Sequence, residues 1–405
     1  GDGRALLVGE VIDSQGHRRD IQLKGSGRTP FSRGGDGKAP LAAVLREFVV
    51  SEAMAALGIP TTRSLAAVAT GEDVLRESVL PGGVLTRVAA SHIRIGTFQY
   101  FYARQDTEAL QALTDHVIAR HYPEAAAADV PALALLEQVM ERQANLVARW
   151  MGVGFIHGVM NTDNMTLSGE TIDYGPCAFM DTYRESEVFS SIDTGGRYAF
   201  ANQPTIAQWN LAQLAQSLLP LIPGEGNTPV EKAQAAIDRF PDMYQRAWIA
   251  VMGEKLGLSH PKPQDADLIS ALLAAMEAGQ ADFTLVFRQL TDLADPSVGE
   301  SPHVRNRFVE PTAFDAWKDR WQARLTDDPL APAERRAMMR AANPLFTPRN
   351  HRIEGALTAA VNGDLHPIER LRNVLARPFD DQPDAAALAK PPSPEEVVTA
   401  TFCGT

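Results

Sequence analysis

Few residues of this chain could handle a polyphosphate, and they stand at suggestive intervals. Lys24 closes Asp20-Ile21-Gln22-Leu23-Lys24, which alternates polar and apolar as a half-buried strand does. It is one of seven lysines against 31 arginines, and only Lys38 accompanies it before Lys232. A compact ammonium kept where guanidinium is the rule points to a specific task, because the two cations are not interchangeable. Glu47 follows one strand-loop-helix step later and could orient that ammonium, although its neighbour Arg46 offers a plain solvated charge pair instead. Further on, Asn161, Asp163 and Asn164 precede a short polar segment, and Asp173-Tyr174-Gly175 follows it. Such residues also populate turns for backbone reasons. As hard oxygen donors, Asn164 and Asp173 suit Mg²⁺, with Mn²⁺ as the alternative, held by one or two protein groups plus substrate phosphates. Arg87, in the otherwise apolar Leu85-Thr86-Arg87-Val88, requires a buried carboxylate or a phosphate. Arg94 adds another cation. The turns Gly1-Asp2-Gly3-Arg4 and Gly34-Gly35-Asp36-Gly37 could present backbone N–H groups to an anion, a weak signal alone.

The elements that must position these groups change character along the chain. Strands are expected at Ala5–Ile12, Asp20–Lys24, Leu65–Ala69 and Val84–Val88. Between the second and third, residues Gly25 to Pro40 form a loop with five glycines, and Leu41–Leu57 carries apolar residues at helical spacing, with Pro40 before it and Gly58 after. From about Phe98 helices take over, with strong segments at Leu133–Trp150 and Ile206–Leu219. Between those helices a hairpin of Met165–Leu167 and Thr171–Ile172 is expected around Ser168-Gly169. Ala376 to Thr405, rich in Pro and Ala, reads as a surface or partly mobile tail. Asn343 to His351 reads as a structural loop leading into a helix.

The totals bound the possibilities. At 405 residues the chain exceeds one ordinary core, so two lobes are expected. A net charge of −12 argues against a nucleic-acid binder and against docking on an anionic membrane. No apolar run approaches the roughly 20 residues of a spanning helix. Two cysteines cannot form a disulfide scaffold, and they point to a reducing, cytoplasmic setting. The start, without an initiator Met, reads as trimmed. Nothing calls for an oligomer, so a monomer is expected.

A small strand lobe at residues 1–98, with one positioning helix, followed by a large helical lobe at 99–405, is the layout of an α+β, protein-kinase-like bilobal fold. That fold uses a strand lysine, a helix glutamate, and an Asn and Asp for magnesium. One element departs from it: the usual catalytic Asp, five residues before Asn164, is replaced by Val159. Either the chain is catalytically silent or Asp163 takes the role, with His157 structural.

The strings QLKGSGRTPFSRGGDGKAPL, SEAMAALGIPTTR, LTRVAASHIRIGTF, HGVMNTDNM, TIDYGP and FCGT, spread over essentially the whole chain, resemble the selenoprotein O family. That resemblance implies a kinase-like enzyme that transfers AMP from ATP to Ser, Thr or Tyr hydroxyls of proteins, with the nucleotide flipped relative to ordinary kinases. It implies Asp163 as proton acceptor and Asn164 and Asp173 as metal ligands. It places Lys24, Arg87 and Arg94 on the phosphates, Glu47 on Lys24, and Gly1, Gly3, Arg4, Asp36, Gly37 and Asp173 around the nucleotide. Family members carry a further segment before Gly1. Some have selenocysteine third from the C-terminus, where this chain has Cys403, and this is the main support for expecting a redox disulfide between Cys177 and Cys403. Transfer of the γ-phosphate by an atypical kinase, and a silent ATP-binding scaffold, stay open on the same residues.

Overall fold

A computed structural model describes residues 3–32, 34–298 and 304–402; Gly1 and Cys403 lie outside the described residues. Strands β1 (Ala5–Ile12), β2 (Arg18–Lys24), β3 (Ala39–Pro40), β4 (Arg63–Leu75) and β5 (Val79–Ala89) form one antiparallel sheet in the order β1-β2-β5-β3, with β4 also on β5. Helix α1 (Leu41–Ala56) packs on this sheet through Val44, which clusters with Ala39 and Leu85. The register explains where the cations go. Gln22 pairs with Arg87 and Lys24 with Leu85. Side chains alternate across a strand, so Lys24 and Arg87 emerge diagonally on one face. Glu47, buried on α1, meets both.

Helices build the rest: α2 (Ile95–Tyr102), α3 (Thr107–His121), α4 (Pro131–Gly152), α5 (Gln203–Leu218), α6 (Thr228–Ile237), α7 (Phe240–Lys255), α8 (Asp265–Ala278), α9 (Phe283–Leu293), α10 (Thr312–Thr326), α11 (Pro332–Ala342), α12 (Asn350–Val361) and α13 (His366–Leu375). Their apolar faces merge into one large core with α1. A short pair, β6 (Phe155–Ile156) with β7 (Ala178–Phe179), sits between α4 and α5.

The hairpin expected around Ser168-Gly169 does not form. The Thr166 hydroxyl donates to Glu170 O and accepts from Glu170 N, closing a turn with a side chain. The flanking residues then pair outward. Thr166 bridges to Arg94, through Ile95 N to Met165 O at 3.0 Å and Leu167 N to Ile93 O at 2.9 Å. Thr171 bridges to Thr61, through Thr62 N to Thr171 O and Thr171 N to Pro60 O, both 2.9 Å. Residues 166 to 171 therefore link to the chain on either side of the β4–β5 pair. Two-residue strands carry too little alternation for the sequence to show which partner they take.

The Asn343–His351 loop is structural, as expected. Asn350 clasps Phe179 from both sides, accepting from its N–H at 3.2 Å and donating to its carbonyl at 2.9 Å. Arg349, fully buried, pairs with Asp181 at 2.5 Å and Asp282 at 2.6 Å. Asn343 accepts from the Lys255 ammonium at 2.7 Å and donates to its backbone carbonyl at 2.8 Å.

Burial pushes Lys255 down to about 7, against the opposing pull of Glu254. The unfolded chain holds that proton up to the ordinary value of 10.5. The unfolded state thus binds more protons between those values, so Lys255 makes stability rise with pH through that window. Melting wild type and Lys255→Met from pH 6 upward should show wild type gaining on the variant as pH rises. Parallel curves would contradict a depressed Lys255.

The tail is anchored rather than loose. Ala385, Ala389 and Thr401 are buried, and Arg349 donates to Ala389 O at 3.0 Å. Thr401 donates its N–H to Phe189 O and its hydroxyl to Pro176 O, at 2.7 and 2.5 Å.

Candidate active site

The sheet face, α1 and the loop after residue 171 converge on four charges. The Lys24 ammonium donates to Glu47 Oε2 at 2.7 Å and to Asp173 Oδ1 at 2.5 Å. Arg87 meets Glu47 through Nε at 2.5 Å and Nη2 at 3.0 Å, Gln22 at 3.2 Å and Asp173 at 3.4 Å. Glu47 is thus shared by both cations rather than solvated beside Arg46. Arg46 is itself buried and turns away to Cys177 O and Glu354.

Burial alone would raise the Glu47 carboxyl, but Arg87 and Lys24 outweigh it and hold it below the carboxylate range. The same contest at Asp173 is won by Lys24, Arg87 and Arg4, leaving that carboxyl far below its usual range. Asp173 keeps a quarter of its side chain exposed, while Lys24, Glu47 and Arg87 are buried. Its φ of 67° is one of three positive values among the described non-glycine residues, a conformation Asp tolerates better than most.

His157 ties this loop to the turn carrying Asp163. Its ring Nε2 lies 2.9 Å from Ile172 O, and Val159 N donates to Nδ1 at 3.4 Å. Burial lowers its proton affinity, so the ring is neutral, donating from one nitrogen and accepting on the other. That is the structural role the spacing suggested. Gln203, at the start of α5, locks the same loop by accepting from His157 N at 3.0 Å and donating to Phe155 O at 2.9 Å.

Asp163 and Asn164 lie on a short 3-10 turn, Thr162–Asn164, capped by the Asn161 side chain accepting from Asp163 N at 2.9 Å. Asn164, nearly buried, donates Nδ2 to Val159 O at 2.9 Å, which leaves its Oδ1 free of that contact. Arg94 is buried at the N-terminus of α2, in the bridge to Thr166 that follows this turn.

The glycine-rich residues are tied to one another mainly through the backbone. Ser32 donates to Gly3 O at 2.5 Å, and Gly25 N to Arg4 O at 2.7 Å. Gly37 has φ 68°, and a side chain there would collide with the Gly27 carbonyl. Asp36 is bound bidentately by Arg76 at 2.9 and 3.1 Å, and that contact holds it at about 2. The structure thus joins Lys24, Glu47, Arg87 and Asp173 directly and brings the Arg4 charge to bear on Asp173. It sets Asp163 and Asn164 on the linked turn, Arg94 on the adjoining bridge, and Asp36 with Arg76 at the glycine-rich loop.

Sequence reasoning missed Gly96. A methyl group on it would overlap Asp163 Oδ1 and stand 3.2 Å from the Asp163 carboxyl carbon. The second residue of α2 is therefore glycine so that this carboxylate can lie against the helix N-terminus, where a negative charge is stabilised. The signal was present in Arg94-Ile95-Gly96-Thr97, a glycine in a first turn that a favourable helix would fill with Ala.

Comparison with known proteins adds a family. A family model described as protein adenylyltransferase SelO matches residues 1–376. A protein nucleotidyltransferase YdiU of Bradyrhizobium sp. (strain ORS 278) is 61% identical over 406 residues, covering 100% of this chain and 82% of that protein. Proteins with the same description from Rhodopseudomonas palustris (strain BisB5) and Rhizobium johnstonii are 60% and 59% identical, again over all of this chain and over 82% and 81% of theirs.

Proposed function

Because this chain belongs to the SelO family of protein adenylyltransferases, we propose that it transfers AMP from ATP to Ser, Thr or Tyr hydroxyls of other proteins, releasing pyrophosphate. In this reading the fold works as a kinase-like one, residues 1–98 gripping phosphates and 99–405 supplying the base and metal ligands. ATP lies flipped, its β- and γ-phosphates toward Lys24, Arg87 and Arg94 and its α-phosphate toward the incoming hydroxyl. The substrate oxygen bonds to the α-phosphorus, the bond to the β-phosphate oxygen breaks, and the hydroxyl proton passes to the Asp163 carboxylate. The leaving pyrophosphate carries its charge into fixed cations, and such preorganised charge is commonly the largest catalytic contribution.

The carrying observation is the buried Lys24–Glu47–Arg87–Asp173 cluster with Asp163 on the loop tied to it through His157. Asp173 and Asn164 supply hard oxygens, and both fit Mg²⁺ or Mn²⁺. Bound there, the ion would neutralise polyphosphate charge. ATP labelled at the α-phosphorus should mark a protein substrate, and ATP labelled at γ should not. Transfer of γ-label would identify a kinase instead, and no transfer of either a silent scaffold.

Gly96→Ala probes the geometry of the base. It should lower AMP transfer on the order of 10- to 100-fold through a displaced general base, with ATP affinity nearly unchanged. A variant with full turnover would show that the contact between Gly96 and Asp163 is immaterial.

The Cys177–Cys403 link also belongs to this proposal. Thr401 is pinned to Pro176, next to Cys177, which is favourable for a bridge. Cys177 is buried and burial pushes its thiol up to about 11, which makes it a slow nucleophile in thiol–disulfide exchange. Oxidised protein digested without reductant should yield a joined Cys177–Cys403 peptide. Two unlinked peptides after oxidation would remove the link.

A further inference from the structure

A second cavity of about 580 Å³ opens among the segment after Asp181, the start of α5, and helices α7 and α8, and it shares no residue with the candidate active site. Its size suits a drug-like molecule. The walls are aromatic: Tyr183, Phe200, Phe240, Tyr244 and Trp248 contribute, with Phe283 stacked on Tyr183 at 6.0 Å between ring centres. The only charged residues lining it, among those described, are Glu185 and Glu277, and both are exposed to solvent. Glu277 is steered by the Glu185 N–H, which donates to it at 3.3 Å. Arg184, between Tyr183 and Glu185 in the chain, does not line the cavity and lies 3.9 Å from Glu187.

Two features therefore favour one sign of ligand. Aromatic faces are electronegative at their centres and attract cations, most of all weakly hydrated ones. The carboxylates at the mouth add negative potential that no lining Lys or Arg cancels. Burial, reinforced by Glu185 and Glu277, raises the Tyr183 phenol above its ordinary value, so it stays neutral. An anion would meet no lining Lys or Arg here, and a strongly hydrated metal ion would gain little from apolar walls.

We propose that this cavity is a binding site for a small organic ammonium ion, a cationic nitrogen carrying alkyl or aryl groups. Its aryl or alkyl part fills the space between Phe200, Phe240 and Trp248, and its charge lies toward Tyr183, Glu185 and Glu277. Nothing in this assignment depends on the transfer reaction.

The test is titration of the full chain with benzyltrimethylammonium, followed by calorimetry, with the neutral 4-tert-butylbenzyl alcohol as control. The cation should bind saturably and the alcohol more weakly. Glu185→Gln/Glu277→Gln and Tyr244→Ala, all outside the proposed active site, should each weaken the cation on the order of tenfold. AMP transfer in these variants should persist, which reports that they fold. Equal affinity for the alcohol, an unchanged affinity in both variants, or no saturable binding up to millimolar cation would each overturn the proposal.

Discussion

Replacing Asp163 by Ala should abolish AMP transfer while leaving ATP bound nearly as tightly as in wild type. Asp163 sits on a turn of its own, its backbone N–H held by the Asn161 side chain and its carboxylate seated against Gly96, outside the Lys24–Glu47–Arg87–Asp173 cluster. Its removal deletes a proton acceptor while the pairs among Lys24, Glu47, Arg87 and Asp173 stay in place. General-base loss costs on the order of 10²- to 10⁴-fold. Asp173→Ala should behave differently, because Asp173 contacts both Lys24 and Arg87 as well as offering a metal ligand. There, ATP affinity and transfer should fall together. The pair is read by α-label incorporation beside equilibrium ATP binding. Near-wild-type incorporation by Asp163→Ala would move the base elsewhere. Gly96→Ala distinguishes the two ideas: it can fail to matter while Asp163 still does.

The largest effect on stability should come from Glu47→Ala. Glu47 is 1% exposed and is the counter-charge for Lys24 and Arg87 together. Removing one partner of a buried ion pair leaves an uncompensated charge and typically costs about 3–5 kcal/mol. The urea midpoint should therefore fall sharply. Glu47→Gln should lie between the variant and wild type, since it keeps an acceptor but not the charge. ATP should raise the melting temperature of Glu47→Ala more than that of wild type, because the polyphosphate restores part of the missing negative charge. An unfolding free energy within about 1 kcal/mol of wild type would mean that water already solvates these cations.

Much of the site was legible in the sequence because its parts sit on regular elements. The alternation around Lys24 and the isolated Arg87 in an apolar strand marked one sheet face, and the helical spacing from Leu41 marked the helix that carries Glu47. The strand Ala5–Ile12 was drawn with its observed limits, whereas β4 and β5 extend well beyond the segments expected. Their extra residues include Gly71, Pro81 and Gly82, which are poor signals for a strand and are tolerated around an irregular register. What stayed hidden was tertiary. Nothing local says that Arg349 will lie between Asp181 and Asp282, or that Asn350 will clasp Phe179. Gly96 looked like a helix weakness until the carboxylate beside it was seen. The expected hairpin failed for a related reason: Thr166 closes its own turn with a hydroxyl, freeing both flanks for other partners.

Those two outward bridges have a consequence for how the molecule comes apart. Residues 165 to 171 exchange backbone hydrogen bonds with Ile93 and Ile95 on one side and with Pro60 and Thr62 on the other. The Trp150 indole on α4 donates to Thr171 Oγ1 at 2.9 Å, and Gln143 donates to Thr166 O at 2.7 Å, so the same few residues are also fastened to the helical part. A chain cut near residue 98 would leave each fragment with severed pairings that only the other fragment can restore. Whatever chemical division of labour runs across that point, cooperativity does not follow it: sheet and helices should melt in one transition, and the separate halves should be aggregation-prone until mixed.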